Sequence, residues 1–317
     1  MIAVCGEALM DVFAGTPTPT GLALDARVGG SPFNLAVGLA RLRQPVALLG
    51  AISTDFLGQR LWQALVDEGV EPGAVRRSAA PTTLSLVGTD SGGHPSYAFH
   101  GSAGADRDLP LDALAALDAL PNALRALHLG SYTAIVPQVA STLRALVERM
   151  LHRCLIAYDP NLRLQVEPDR TRWRAMLDWM LPRADLVKLS DEDLRLLEPG
   201  LPIEVFARHA RAQGCGLLIV TRGAHGALAW SRHAHAAAPA QPVALVDTVG
   251  AGDSFQAATL AWLAEHACLS AGAPGGLDAD ALHALLRFAT AAAALTCGRR
   301  GADLPRRDAI DAALRGA

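Results

Sequence analysis

Apolar and polar positions along the chain follow two alternating patterns. Short, continuous apolar runs occur at residues 2–5, 46–51, 126–129, 155–158, 186–188 and 217–221. Runs this short, bounded by turn residues, predict strands buried on both faces. Between them lie stretches with helical spacing, such as residues 139–154 and 202–213. Strands alternating with helices predict a mostly parallel sheet covered by helices, an α/β fold. Two regions break the rhythm. Residues 9–13 and 83–100 read as extended, the second as two runs flanking the turn Asp90-Ser91-Gly92-Gly93. These predict a small separate sheet, although an ordinary edge hairpin would read the same way. No internal repeat is present, and the only low-complexity stretch is the Gly/Ala/Pro-rich loop at 270–276.

Composition narrows the class. The 317 residues suffice for one large α/β domain or two smaller ones. A hydrophobic share of 51% and a charged share of 19% suit a compact soluble enzyme, and a formal charge of −3 offers no basic face for nucleic acid. Cysteines 5, 154, 215, 268 and 297 are odd in number, scattered and without a C-x-x-C pair. They predict reduced thiols in a cytoplasmic protein rather than a disulfide frame or zinc site. His233 and His235 have no acid or cysteine cluster beside them, so a solvated loop is expected there. The N-terminus lacks the basic start and long apolar core of a signal peptide, and no run of ~20 apolar residues suggests a membrane helix.

Several nucleotide-binding classes are also excluded. Lys188 is the only lysine, and Asp185-Leu186-Val187-Lys188-Leu189-Ser190 is not a glycine-rich phosphate loop. The protein-kinase motif set is missing its strand lysine and D-F-G. After the first strand, Cys5-Gly6-Glu7-Ala8-Leu9 has a single glycine where a dinucleotide fold needs G-x-G-x-x-G.

The segment Asp247-Thr248-Val249-Gly250-Ala251-Gly252-Asp253-Ser254-Phe255 carries the strongest chemistry. Its glycines suit a turn whose backbone approaches a ligand closely. The apolar run that follows reads as a helix, whose N-terminus would be an anion site of unpaired N–H donors. An acid beside a bound phosphate makes sense if it takes a proton from the hydroxyl attacking that phosphate. An N-cap aspartate behind a glycine turn is the plainer reading. Upstream, Gly29-Gly30-Ser31-Pro32-Phe33-Asn34 precedes a second helical pattern, and Asn34 both donates and accepts, as sugar hydroxyls require. Further on, Asp55 in Ser53-Thr54-Asp55-Phe56 is expected to be a helix cap.

Together these segments resemble the ribokinase-like (PfkB) carbohydrate kinases. Residues 29–58 are similar to that family's N-terminal signature, and residues 247–254 to its C-terminal signature D-T-x-G-A-G-D. The version Gly-Gly-Ser-Pro-Phe-Asn, with Asp159-Pro160-Asn161-Leu162-Arg163, looks most like bacterial fructokinases. The resemblance covers essentially the whole chain. It implies one ribokinase-like domain over residues 1–317, with a mostly parallel central sheet flanked by helices. A small β lid, contributed by about residues 9–16 and 83–100, would also offer a homodimer surface.

The same resemblance implies phosphoryl transfer from ATP to a primary sugar hydroxyl, most similar to fructose conversion to fructose 6-phosphate. Asp253 would be the general base, with Gly250, Ala251 and Gly252 as the anion hole. Asp11, Gly29, Gly30, Asn34 and Arg163 would hold the sugar. Thr221, Arg222, Gly223, Gly226 and Thr248 would hold the nucleotide. Ser190-Asp191-Glu192-Asp193 stands where the family has N-x-x-E. Asp193 would therefore act on Mg²⁺ through water, although Ser190 and Asp193 depart from the pattern. A monovalent cation such as K⁺ would sit near the loop at 297–301. Ribose, 2-keto-3-deoxygluconate and nucleosides remain alternative substrates, with Phe33, Tyr97 and Phe99 available to stack a base. A catalytically silent sugar-binding protein is the alternative from another class.

Overall fold

The computed structural model describes residues 1–89 and 95–316. The predicted turn at 90–93 lies outside the described residues. In chain order the first elements are β1 (Ile2–Cys5), β2 (Leu9–Thr18), β3 (Gly21–Gly29), α1 (Ser31–Arg41), β4 (Val46–Ser53), α2 (Phe56–Asp67), β5 (Val75–Ser78), β6 (Leu84–Thr89) and β7 (Pro95–His100). The middle of the chain forms β8 (Ala126–Gly130), α3 (Pro137–Met150), β9 (Leu155–Asp159), α4 (Arg170–Met180), β10 (Leu186–Ser190), α5 (Asp191–Leu197) and α6 (Ile203–Ala212). It ends with β11 (Leu217–Thr221), β12 (Ala227–Trp230), β13 (His235–Ala238), α7 (Ala251–Glu265), α8 (Ala279–Cys297) and α9 (Arg307–Arg315).

Nine strands form the main sheet in the order β13-β12-β11-β10-β9-β8-β1-β4-β5. Every pairing from β5 through β11 is parallel, and the last two are antiparallel. The apolar runs are continuous because both faces are covered. Leu217 and Ile219 enter the core that includes α1, α7 and α8, while Leu218 and Val220 enter the core of α3, α4 and α6. After β1 the chain winds to one side through β4 and β5. It later crosses back to β8 and continues outward on the other side. Such a reversal opens a crevice beyond the carboxyl ends of the central strands, where open α/β sheets bind ligands.

The second sheet has the order β3-β2-β6-β7. The sequence pattern predicts β2, β6 and β7 but not the edge strand β3. Its alternation of Leu22, Leu24, Ala26 and Val28 with Ala23, Asp25 and Arg27 was the available signal. Leu22 and Leu24 are 51% and 55% exposed, so β3 packs weakly on one face and relies on its ladder to β2. Asp11 lies inside β2, within the stretch read as extended at residues 9–13. The helix expected over 139–154 is α3, which stops at Met150, where Leu151 turns to extended backbone. Residues 243–246 are an exposed loop.

Helices α1 and α7 cross closely on one face of the main sheet. The crossing depends on Gly38, where an added Cβ would lie 2.4 Å from Leu304 Cδ2 and 2.9 Å from Ala257 Cβ. Both helices begin at the crevice, so this approach brings their N-termini together there. Gly38→Val is expected to cost about 2 kcal/mol through overpacking. Urea unfolding would show this as a lower midpoint with an unchanged slope.

Candidate active site

The crevice is a cavity of about 430 Å³ lined by polar side chains from both sheets and from the N-termini of α1 and α7. Helix α7 starts at Ala251, preceded by Gly250 in the left-handed region with φ 79°. An added Cβ at Gly250 would also meet Ala302 Cβ at 2.8 Å, so both the turn and its packing require glycine. No side chain caps this helix. Ala251 N–H donates to Thr248 O at 3.2 Å. The N–H groups of Gly250, Gly252 and Asp253 have no acceptor among the described residues. A helix end with free donors on a cavity is built for an anion.

Asp253 is the third residue of α7 and is 9% exposed. Ser31 Oγ donates to its Oδ1 at 2.6 Å, and Asn34 Nδ2 donates to its Oδ2 at 2.9 Å. Both donors come from the first turn of α1, so the α1–α7 crossing aims the carboxylate. Asn34 was expected to bind sugar. It lines the cavity, and its amide N–H is engaged in orienting Asp253. Ser31 stood inside the quoted glycine motif without a role, and only the tertiary contact supplies one.

The sugar-binding candidates gather around the same cavity. Asp11, Gly30, Asn34 and Arg163 line it, together with Thr248, Gly250, Gly252 and Asp253. Gly29 lies behind Asp11, and a Cβ there would come within 2.2 Å of Asp11 Oδ2. Gly30 has φ 102°, and its Cβ would meet Glu7 O at 2.7 Å. Gly29 therefore makes room for the Asp11 carboxylate, and Gly30 for the main chain at Glu7. Burial pushes the Asp11 carboxyl up to about 6, against the opposing pull of Ser85 and Arg163. Arg163 Nη1 donates to Asn161 Oδ1 at 2.8 Å and to Leu162 O at 2.9 Å, which fixes its loop at the cavity edge.

Glu7 was not picked out by sequence reasoning, yet it stands at the switch between β1 and β8. It is 1% exposed, lines the cavity and accepts from Thr133 Oγ1 at 2.8 Å. Burial drives its carboxyl up to about 7; Ser131 and Thr133 pull it down, and Asp106 adds to the rise. A G-E pair after a buried strand was the available signal, but it does not reveal burial. Phe99 also lines the cavity and meets Tyr132 edge-on at 6.1 Å. Phe33, offered as a stacking residue, is buried in the core instead.

The remaining candidates lie outside this cavity. Thr221, Arg222, Gly223 and Gly226 form the tight β11–β12 hairpin at the carboxyl edge of the main sheet. Arg222 N–H donates to Gly226 O at 2.7 Å, and its Nη2 donates to His225 O at 2.9 Å. Asp193 belongs to a capping box at the start of α5. Its Oδ2 accepts from Ser190 Oγ at 2.7 Å, and its Oδ1 accepts from Leu162 N–H at 3.0 Å. Its carboxylate thus ties α5 to the Asp159–Arg163 loop. Among the described residues, no cluster of three or more His, Cys, Asp or Glu side chains could hold a metal ion. Asp247 also has a structural task, accepting from Gly301 N–H at 2.7 Å and Val249 N–H at 3.1 Å. Asp55 caps α2 as expected, accepting from Gly58 N–H at 2.7 Å.

Comparison with known proteins finds similarity along nearly the whole chain. The family described as pfkB family carbohydrate kinase matches residues 1–309. A fructokinase of Rhizobium leguminosarum bv. trifolii is 32% identical over 282 residues, covering 89% of this chain and 85% of that protein. The fructokinase of Xylella fastidiosa with bound ATP superposes with a TM-score of 0.88 at 26% identity, covering 99% of this chain and 98% of that one. A fructokinase of Vibrio cholerae O395, bound to fructose, ADP and calcium, superposes with a TM-score of 0.82 at 26% identity, covering 99% and 98%.

The buried Glu7 gives a pH signature of stability. Its carboxyl rises from 4.5 in the unfolded chain to about 7 in the fold. Between those values the native state holds a proton that the unfolded state has released, so stability falls as pH rises. The contribution is whole below pH 4.5 and lost above about 7. Glu7→Gln removes this loss. Its melting temperature relative to wild type should climb across that window and then level, whereas a flat difference would contradict the assignment.

Proposed function

The chain belongs to the pfkB family of carbohydrate kinases, and from that premise we propose that it transfers the γ-phosphoryl group of ATP to the 6-hydroxyl of D-fructose. The observation that carries this reading is the oriented Asp253 carboxylate at an uncapped helix N-terminus, facing a polar cavity lined by Asp11, Asn34 and Arg163. The fructokinase relatives supply the choice of sugar.

In this mechanism Asp253 accepts the proton of the sugar hydroxyl as that oxygen attacks the γ-phosphorus. Ser31 and Asn34 hold both carboxylate oxygens, which limits the rotation that would spoil the proton's path. The turn at 250–252 forms the anion hole, with the free N–H groups of Gly252 and Asp253 available as donors. Asp11 accepts from sugar hydroxyls and Arg163 donates to them, while Gly29 and Gly30 leave the space that this arrangement needs. Phe13, Ser85, Val87 and Phe99 from the second sheet line the same cavity, so this sheet acts as the lid that keeps water from the phosphoryl group. The nucleotide lies along the carboxyl edge from Thr248 toward the hairpin of Thr221, Arg222, Gly223 and Gly226.

Magnesium fits as a hydrated ion carried by the nucleotide phosphates, because Mg²⁺ binds with few protein ligands and retains several waters. Glu192 lines the cavity and is exposed, so it is placed to accept from such waters, whereas Asp193 is occupied as a cap. When bound, the ion screens phosphate charge against the incoming oxygen.

The test is ADP release with Mg·ATP against fructose, ribose, 2-keto-3-deoxygluconate, glucose and adenosine. Fructose is expected to be the preferred substrate. Asp253→Asn should leave sugar binding nearly intact and lower turnover by ~10²–10⁴-fold. Preference for another member of the panel would replace the sugar assignment, and an active Asp253→Asn variant would remove the base.

A further inference from the structure

The chain carries 28 basic residues, and Lys188 alone among them is lysine. A chain that uses arginine everywhere else has kept a compact ammonium at one position. That position is not on the surface. Lys188 is 4% exposed on β10, one residue before the strand's last two, and its Nζ donates to Asp159 Oδ2 at 2.8 Å. Its head packs against the anion-hole turn, because a Cβ added at Gly252 would lie 3.2 Å from Nζ. A planar guanidinium is larger and less compact than an ammonium.

The surroundings are strongly charged. Asp159 touches the ammonium, and the charges of Asp193 and Asp253 act on it as well. Burial alone would lower the Lys188 pKa, but these carboxylates outweigh it and the net shift is upward. His128 is held down to about 3 by burial and by the Lys188 charge, so it is neutral at working pH. Its Nδ1 lies 3.4 Å from Gln256 Nε2 on α7. Asp159 Oδ1 is buried with no partner among the described residues. A buried ion pair kept only for stability is poorly served by such a stranded oxygen, since replacing a buried pair by apolar groups is often neutral or stabilising.

We propose that Lys188 is a positioning residue for phosphoryl transfer: its ammonium, held by Asp159 behind Gly252, provides the fixed positive charge beneath the anion hole. This rests on the kinase reading above and deepens it. Lys188 does not line the cavity, so it acts through the wall that Gly252 forms. There its charge opposes two tendencies. It draws negative charge on the transferring phosphoryl group toward the turn, and it offsets the repulsion between that group and the carboxylates of Asp159 and Asp253. Charge placed in advance in a water-poor site needs no reorganisation during reaction.

The test compares wild type, Lys188→Met and the double variant Lys188→Met/Asp159→Asn in steady-state turnover of fructose with Mg·ATP. Both variants are expected to lose about 100-fold in kcat with little change in the KM for fructose. If Lys188 only neutralises Asp159, the double variant, which has no stranded carboxylate, returns to wild-type turnover, and the proposal is overturned. A second measurement requires no variant. Lysine labelled with ¹³C at Cε gives one NMR signal from this chain. That signal should shift when fructose is joined by Mg·ADP and aluminium fluoride, a mimic of the transferring group, and stay in place with fructose alone. A signal indifferent to the mimic overturns the proposal. A wild type inactive on every sugar removes the functional reading and this inference together, whereas an active wild type with an active double variant removes this inference alone.

Discussion

Helix α7 begins with donors that nothing among the described residues satisfies, and a carboxylate sits among them. Unpaired N–H groups and the helix dipole favour an anion, and the space in front of Asp253, the third residue of the helix, suits a phosphate. Two anions in one place require tight control of distance and orientation. Ser31 and Asn34 provide it by holding the two carboxylate oxygens from a neighbouring helix. That arrangement exists only because α1 and α7 cross at Gly38, so the chemistry at the carboxyl edge of the sheet depends on a contact inside the core.

Charge around this site is layered. Closest to the cavity are the acids Glu7, Asp11 and Asp253 with Arg163 at the rim. Behind the turn lies the Lys188–Asp159 pair, both members 5% exposed or less. Burial away from water raises the carboxyls of Glu7, Asp11 and Asp159. In such a medium, fixed dipoles and charges act more strongly than they would in water. The same dryness makes each unpaired polar atom costly. The backbone accordingly commits donors such as Leu162 N–H and Gly301 N–H to Asp193 and Asp247, the acids that hold the surrounding loops.

The small sheet completes the enclosure. Strand β2 joins the two: Asp11 lines the cavity, and the ladder to β3 and β6 builds the small sheet around it. Its outer leucines, Leu22 and Leu24, remain exposed. That face of β3 therefore buries little apolar area, and its ladder to β2 holds it in the sheet.

Sequence alone determined the alternating strands and helices, because a strand buried on both faces needs an unbroken apolar run. It also determined the glycine turn before Asp253, because only glycine accepts φ 79° at position 250 and permits the close approach of Ala302. Those local demands are written in residue type and spacing. Strand β3 escaped because its leucines point to solvent, so its alternation carried no sign of burial. The assignments of Asn34 and Asp193 were incomplete for another reason. Which atom a polar side chain meets depends on a helix crossing or a loop brought in from far along the chain. Glu7, Ser31 and Lys188 depend wholly on such encounters. Burial, which moves Glu7 upward and sets the Lys188 ammonium behind Gly252, is a property of the packed whole, and only the tertiary structure decided it.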